Sequence, residues 1–184
     1  SVPGENLTFS IVLKYGQAAL MPLRAMDQCA ISELTALSVT DLLLSHGIEA
    51  KIKWPNDIYV GGRKICGILI EHSVRDSYLA SSIIGIGLNV NQTVFDPSIP
   101  NPVSMILCSP EKFQPSVLLE EFMDIFGRYC NRYLNITGGL ARLRMLYLSQ
   151  MWLKDLPSRF IDNIDGHEFK GIIRGLTDIG HLIV

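Results

Sequence analysis

The chain has 184 residues, of which 48% are hydrophobic and 18% charged, and this composition of a packed protein excludes a disordered tail. Sixteen Lys and Arg residues against 18 Asp and Glu give a net charge of -2, so nucleic-acid binding by this portion is not expected. Four scattered cysteines without a C-x-x-C pair, no signal-peptide pattern and no apolar run of roughly 18 residues favour a cytoplasmic protein without a membrane span.

The first half of the chain predicts several strands and one helix. Apolar residues recur at near-helical spacing over 27–46 and Gly47 follows as a stop, which predicts a core-facing helix. Gly61-Gly62 lies between two runs of β-formers and predicts a tight hairpin. The predicted strands cover residues 7–15, 50–54, 57–60, 63–71 and 79–89.

The second half predicts two helices and then short strands. A Pro-rich loop over 96–115 precedes two stretches with helical patterning, 115–134 and 139–152. Beyond them, short strand-like runs alternate with Asp-Gly and Asp-Ile-Gly turns, which is typical of a small β module. The predicted fold is therefore α+β, with a mixed sheet packed against helices over 1–153 and a small, incomplete β module over 154–184.

Unusual polar residues are concentrated around the predicted hairpin, over residues 53–71. If Gly61-Gly62 closes the hairpin, the side chains of Asn56, Asp57 and Lys64 converge on one cavity. A fixed cation such as Lys64 draws together two anions, a carboxylate and a triphosphate, and stabilises the charge that develops as they react. Asp57 is a candidate to hold a magnesium ion brought by the nucleotide, since this ion prefers one or two carboxylates together with phosphate oxygens.

A purely structural interpretation of the same residues stays open. Pro-Asn-Asp is ordinary turn chemistry, Gly-Gly is an ordinary hairpin turn, and a following Arg-Lys pair is usually a solvated strand start. Trp54 fits a core position better than a ligand platform, by the burial habits of large aromatic residues. The sequence has no G-x-x-x-x-G-K-[ST], H-E-x-x-H or G-x-S-x-G motif, so P-loop and common hydrolase functions lose support.

A second candidate segment, 83–91, is an apolar strand that carries Gly85 and Gly87 and is followed by Asn89. Glycines in a strand allow a ligand or another backbone to approach closely, and an Asn at the strand end offers both a donor and an acceptor. Alternatively, the glycines relieve crowding against a helix and Asn89 starts a turn. The segment lacks the third glycine and the helix start of a dinucleotide site.

Three stretches together carry a family resemblance. Lys-Trp-Pro-Asn-Asp-Ile-Tyr-Val, Gly-Arg-Lys-Ile-Cys-Gly-Ile-Leu-Ile-Glu and Gly-Ile-Gly-Leu-Asn-Val-Asn resemble the successive signature stretches of biotin protein ligases, in the same order and with similar spacing. Residues 3–10 are similar to the first core strand of that family, 101–105 to its post-sheet loop, and 152–184 to the start of its SH3-like C-terminal module. The resemblance thus covers essentially the whole chain.

The resemblance implies a class II synthetase-like core that uses ATP and biotin, with Mg2+, to form biotinyl-5'-AMP and then transfers biotin to a lysine of a biotin carboxyl carrier domain. It makes Lys64 the catalytic lysine that contacts biotin and phosphate. Gly67 lies on the strand that walls the biotin pocket, and the third stretch brings Gly85 and Gly87 to the biotin and adenylate. Nucleotide- or metal-proximal positions are implied for Asn56, Asp57 and Asn89, with Asp57 at the metal.

One family feature is not in this sequence. The Gly-Arg-Gly-x-x-Gly loop of biotin protein ligases lies just upstream of the stretch that resembles residues 3–10 and supplies much of the biotin and adenylate binding. We therefore expect residues to be missing upstream of this chain and strands to be missing at the end of the β module. The alternative is a non-catalytic remnant.

Other functions remain open at this point. A lipoate-attaching ligase has a similar core and also uses a central lysine, although the Pro-Asn-Asp and Gly-Arg-Lys stretches favour biotin. Some relatives are biotin-sensing repressors with an N-terminal DNA-binding domain, and a binding module with an inactive site is a third possibility. Some relatives pair their sheets edge to edge, so a homodimer is also considered.

Overall fold

The computed structural model describes residues 4–16, 20–109, 111–162 and 164–184. The α+β class is confirmed, because a five-stranded sheet packs against three α-helices and two short hairpin-like pairs follow. In chain order the elements are β1 Asn6–Lys14, α1 Cys29–Ser45, β2 Lys51–Lys53, β3 Asp57–Val60, β4 Arg63–Arg75, β5 Tyr78–Asn89, α2 Pro115–Tyr129, α3 Gly139–Ser149, β6 Pro157–Ile161, β7 Glu168–Ile172, β8 Gly175–Leu176 and β9 Leu182–Ile183.

The strands of the main sheet follow the order β1-β5-β4-β3-β2, and all four ladders between them are antiparallel. The expectation of a mixed sheet is corrected in this respect. Tight connections join β3 to β4 and β4 to β5, and strands joined by such short connections run antiparallel. Among the described residues, parallel pairing occurs only at isolated bridges, such as those of Lys64 with Pro102 and Ile52 with Met151.

One face of the sheet forms the core together with α1. Its side chains alternate along the strands and are almost fully buried, as Ile58 at 0%, Ile68 at 3% and Ile84 at 0% exposure illustrate. Helix α1 contacts this face as well as α2 and α3, and twelve of its 17 residues are buried. The hydroxyl groups of Thr35 and Ser38 in this helix donate to backbone carbonyls one turn earlier, so their burial leaves no unpaired donor.

The tight turns follow the predicted glycines. Gly61 and Gly62 have φ values of 56° and 80°, and Gly47 beyond α1 has a φ of 73°. Two consecutive residues with positive φ are what a two-residue hairpin turn requires, so the hairpin prediction is confirmed. The predicted helix over 115–134 ends its α-helical part at Tyr129 and continues as a π-helical turn, Cys130–Leu134.

The C-terminal strands form two small pairs, β6 with β7 and β8 with β9. The turn between β8 and β9 is attached to the core by hydrogen bonds: the indole nitrogen of Trp54 donates to the carbonyl oxygen of Gly180 at 3.0 Å, and Arg144 Nη1 donates to that of Thr177 at 2.9 Å. Arg144 also forms an ion pair with Glu33, whose side chain is 4% exposed. The contact between Glu33 of α1 and Arg144 of α3 therefore helps to hold this turn.

The burial of Glu33 predicts a pH-dependent stability. Burial raises the pKa of this carboxyl from its ordinary value of 4.5 to about 7, although Arg144 lowers it in part. Between these two pH values the folded state keeps a proton that the unfolded chain releases. The stabilisation from this group is therefore complete below about pH 4.5 and is lost as the pH rises through about 7.

The measurement is urea denaturation of the wild type, Glu33→Gln and the exposed control Glu111→Gln between pH 4.5 and 7. The free energy of unfolding of the wild type relative to Glu33→Gln should fall by up to about 3 kcal/mol over that range, since one pKa unit corresponds to about 1.4 kcal/mol. The difference between the wild type and Glu111→Gln should stay constant. A constant difference for Glu33→Gln as well would refute the assignment.

Candidate functional site

A single row of residues crosses all five strands of the sheet on the face opposite the helices. Lys53 pairs with Asp57, Asp57 with Gly67, Gly67 with Gly87, and Gly87 with Thr8. Residues that lie directly opposite each other in a ladder project from the same face. The row therefore places two charged residues beside two adjacent glycines on the open face.

A one-residue bulge interrupts the β3–β4 ladder. Ile58 pairs with Cys66 but Tyr59 pairs with Lys64, so Ile65 is the extra residue of β4. Ile65 and Cys66 are consecutive, yet both are buried, at 0% and 1% exposure. In a regular strand one of the two would project from the open face.

The bulge decides which residue of β4 lies beside Asp57. With regular pairing from the Gly61-Gly62 turn, Cys66 would oppose Asp57 and Gly67 would project towards the core. The bulge shifts the register by one residue and brings Gly67 to the open face instead. Bulges of this kind commonly re-aim side chains next to active sites.

Lys64 lies above Gly67 and forms an ion pair with Asp57. The distance from Lys64 Nζ to Asp57 Oδ1 is 2.6 Å, and the two side chains are 41% and 20% exposed. A Cβ atom added at Gly67 would lie 3.3 Å from both Cε and Nζ of Lys64 and 3.8 Å from Asp57 Oδ1. Only glycine at this position leaves the lysine side chain its full space.

A cavity of about 460 Å³ opens above this row. At Gly87, the second glycine of the row, an added Cβ would meet no atom within 4 Å, so it would project into the open cavity. Five of the seven residues predicted from the sequence line this cavity: Asp57, Lys64, Gly67, Gly87 and Asn89.

The other two predicted residues, Asn56 and Gly85, do not line the cavity. The Asn56 side chain donates from Nδ2 to the carbonyl oxygen of Ile68 at 2.8 Å. The backbone carbonyl oxygen of Asn56 accepts a hydrogen bond from the Ile68 N–H at 2.9 Å. Asn56 is thus tied to β4. Gly85 projects from the same face as Gly87 but lies in the next row, opposite Leu69 and Ser10.

The loop after the sheet fixes the backbone of Lys64. The Lys64 N–H donates to the carbonyl oxygen of Asn101 at 2.8 Å, and the Val103 N–H donates to the carbonyl oxygen of Lys64 at 2.9 Å. The carbonyl oxygen of Val103 in turn accepts a hydrogen bond of 3.0 Å from Asn89 Nδ2. The Pro-rich loop therefore connects the lysine to the end of β5.

Sequence reasoning missed several residues that line the cavity. Alternating polar residues at the start of β1 were a signal for Asn6, whose Nδ2 donates to Gln92 Oε1 at 2.5 Å. No local signal indicated the loop residues, because the fold brings them from distant parts of the chain. The missed residues include Asn6, Lys53, Tyr59, Gln92, Phe95 and Pro102.

Two other clusters carry potentially reactive groups, and neither lies in the cavity. Ser82 Oγ lies 2.7 Å from both His72 Nδ1 and Tyr15 Oη, but Ser82 is 0% exposed, so no substrate reaches this hydroxyl. Burial lowers the pKa of His72, which fits a structural network. The second cluster, at the exposed turn between β6 and β7, contains Asp162, Asp165 and His167.

None of the helices that the structure describes combines the length and the hydropathy of a membrane span.

Comparison with known proteins identifies relatives of the chain. Residues 1–89 match the sequence model of the biotin/lipoate A/B protein ligase family. The chain is 30% identical over 154 residues to the bifunctional ligase/repressor BirA of Bacillus spizizenii, a match that covers 81% of this chain and 45% of that protein. It is 29% identical over 190 residues to the biotin--[acetyl-CoA-carboxylase] ligase of Paracoccus denitrificans, covering 100% of this chain and 75% of that protein.

The fold is also that of solved ligases. The apo structure of the biotin protein ligase from Aquifex aeolicus superimposes with a TM-score of 0.76 at 20% identity, and the match covers 97% of this chain and 74% of that one. The chain spans 45% of the length of the two BirA proteins of Bacillus that it matches. The signature stretches, the relatives and the match of residues 1–89 to the family model all relate this chain to the biotin/lipoate A/B protein ligase family, and the fold agrees with that relation.

Proposed function

We propose that this chain is the catalytic part of an ATP-dependent biotin protein ligase, which forms biotinyl-5'-AMP and transfers biotin to a lysine of a biotin carboxyl carrier domain. The observation that carries this proposal is the Lys64–Asp57 ion pair above two opposed glycines in one cavity. The names of relatives support it, among them the Paracoccus ligase. A biotin protein ligase of Aquifex aeolicus with this fold has been solved in complex with biotin and ATP.

In the first step, an oxygen of the biotin carboxylate attacks the α-phosphorus of ATP. The new O–P bond forms as the bond to the bridging oxygen breaks, and diphosphate leaves with the bonding electrons. Both reactants are anions, so the barrier falls if a fixed cation lies between them. Lys64 supplies this cation, and adenylate formation needs no protein nucleophile beyond such positioning.

In the second step, the amine of the carrier lysine attacks the carbonyl carbon of biotinyl-5'-AMP. The C–N bond forms, the C–O bond to AMP breaks, and the amine loses a proton to solvent. This step requires access for a side chain of another protein. Lys64 is 41% exposed, so the reacting centre that we propose lies where a carrier domain can reach it.

The glycines provide the biotin subsite in this proposal. Gly67 and Gly87 are opposite each other on neighbouring strands, and neither places a side chain on the cavity floor. The Lys64 side chain lies above Gly67, and a flat ring system can lie beside it, directly on the floor at Gly87. Asn89 borders the same cavity and is held by Val103, so its amide is positioned before a ligand binds.

Asp57 fits a single-carboxylate ligand for Mg2+. Its Oδ1 is paired with Lys64, and the side chain is partly exposed at the cavity. A magnesium ion that arrives with ATP usually takes one or two protein carboxylates and completes its shell with phosphate oxygens and water. When bound, the ion would neutralise phosphate charge. We propose that Asn56 supports Asp57 by fixing this part of the hairpin to β4, rather than by touching the nucleotide.

The remaining assignments follow the same proposal. Residues 1–153 would carry the chemistry, and residues 154–184 would form the beginning of an SH3-like module. The carrier domain of a biotin-dependent carboxylase is the proposed protein partner. A cytoplasmic location and a homodimer stay predictions.

The decisive test is ATP-dependent transfer of labelled biotin to a carrier domain by the full-length protein. Lys64→Ala should lower biotinyl-5'-AMP formation by about 100-fold, because it removes the cation between the two anions. Lys51→Ala is the control, since the Lys51 amine donates to Gln150 and does not line the cavity. If the folded full-length protein transfers lipoate and no biotin, or transfers neither, the biotin ligase assignment fails.

A second prediction concerns the cavity floor. Gly87→Ala adds a methyl group that meets no protein atom within 4 Å, so the protein should stay folded while the floor rises. The biotin dissociation constant should increase roughly tenfold or more, as expected for one methyl group in a closely fitting pocket. Gly127→Ala in α2, which also adds a methyl group in open space but lies outside the cavity, is the control.

The measurement is isothermal titration calorimetry of biotin binding, with thermal unfolding of each variant. Unchanged biotin affinity in a folded Gly87→Ala variant would show that the ligand does not lie on this floor.

A further inference from the structure

We propose that Lys53, on the edge strand β2, binds the terminal phosphates of the nucleotide and stabilises the diphosphate as it leaves. This inference rests on the proposed ligase function and adds a second cation to its site. The ligand class is a linear polyphosphate, either the end of the ATP triphosphate or free diphosphate.

Lys53 lies next to Asp57 at the edge of the cavity. Lys53 pairs directly with Asp57, so both residues project from the same face of the sheet. Asp57 in turn pairs with Gly67, above which Lys64 lies. Lys53 and Lys64 therefore stand on opposite sides of one carboxylate, and both line the cavity.

The cavity lining has an excess of positive charge. It contains two ammonium groups, Lys53 and Lys64, and a single carboxylate, Asp57. The carboxylate is paired with Lys64 at 2.6 Å. In the part of the chain that the structure describes, no carboxylate lies within ion-pair distance of Lys53. The uncompensated positive charge of the cavity therefore lies on Lys53.

Tyr59 holds the Lys53 ammonium group in place. Lys53 Nζ donates to Tyr59 Oη at 3.0 Å and lies 4.7 Å from the centre of the Tyr59 ring. A cation close to an aromatic ring is favourably placed without an anionic partner. The tyrosine thus positions the amine while leaving its charge free for a phosphate group.

A second cation would stabilise the leaving group of this reaction. Adenylate formation brings a carboxylate to the α-phosphate and moves negative charge onto the departing diphosphate. A single ammonium between the attacking oxygen and the α-phosphate does not also neutralise the leaving group. Lys53 lies on the far side of Asp57, where the terminal phosphates and a magnesium ion on Asp57 would lie next to each other.

The simpler interpretation is a solvated lysine on an exposed strand, and Lys51 provides the matched control. Lys51 lies on the same strand two residues away and pairs with Tyr59, so it projects from the same face. Its amine donates to Gln150 Oε1 at 3.0 Å and it does not line the cavity. Loss of either lysine removes one positive charge from the same strand, but only loss of Lys53 removes one from the cavity.

The test compares Lys53→Met and Lys51→Met in the full-length protein. Diphosphate and tripolyphosphate binding are measured by isothermal titration calorimetry, and exchange of labelled diphosphate into ATP is measured in the presence of biotin. Lys53→Met should raise the diphosphate dissociation constant roughly tenfold, the effect of one hydrogen bond to a charged group, while Lys51→Met should leave it unchanged. Lys53→Arg should restore most of the affinity.

Two further measurements separate the possible failures. Biotin affinity, and transfer from preformed biotinyl-5'-AMP, should be the same in Lys53→Met and the wild type, since neither involves diphosphate. If the wild type exchanges diphosphate but the diphosphate dissociation constants of Lys53→Met and Lys51→Met are equal, the role of Lys53 is refuted and the ligase function stands. If the folded wild type neither exchanges diphosphate nor transfers biotin, the ligase function itself fails.

Discussion

The geometry of the site depends on the one-residue bulge at Ile65. The bulge places Ile65 and Cys66 together in the core, at 0% and 1% exposure, and turns Gly67 to the open face beside Asp57. Fully burying an aliphatic side chain contributes roughly 1.5–3 kcal/mol, so the core itself holds the bulge in this register. Burial also raises the pKa of the Cys66 thiol to about 12, which keeps it uncharged at neutral pH. A slip by one residue would bury Gly67 and place Cys66 under the lysine.

The glycine row then follows from the register of the neighbouring strands. Because Gly67 and Gly87 are directly paired, neither β4 nor β5 adds a side chain of its own to this row, and the Lys64 side chain lies above it at Gly67. Three strand spacings separate Asp57 from Thr8 along this row, which is about 14 Å. Glycines weaken a strand. Here the opposite face compensates for this loss, since Ile68 and Ile86 are each only 3% exposed and belong to the hydrophobic core.

Whether a feature of the fold or the site can be predicted from the sequence depends on whether its contacts lie within one short segment. The Gly61-Gly62 hairpin, the helix before Gly47 and the closeness of Lys64 to Asp57 depend on contacts within a short segment, and all three appear in the structure. The bulge was not predicted, because Ile65 and Cys66 are both apolar and alternation gives no unique register there.

Features that depend on contacts between distant parts of the chain could not be predicted from the sequence either. Asn56 fits a turn or a ligand contact equally well until its partner, the carbonyl oxygen of Ile68, is known. In the local sequence, Lys53 looks like an ordinary exposed residue of a strand. Its place in the cavity follows only from the sheet order and from the loop that carries Pro102 to the start of β4.

The segment between β2 and β3 links the candidate site to the C-terminal strands. It begins after Lys53 and ends at Asp57, the two charged residues of the row. Between them, Trp54 donates to the carbonyl oxygen of Gly180 and Asn56 donates to that of Ile68. The same short segment is therefore held on one side by the turn between β8 and β9 and on the other by β4. Both charged residues flank this segment directly. Displacement of that C-terminal turn would remove the hydrogen bond between Trp54 and Gly180 from the segment, although the turn contributes no residue to the cavity lining.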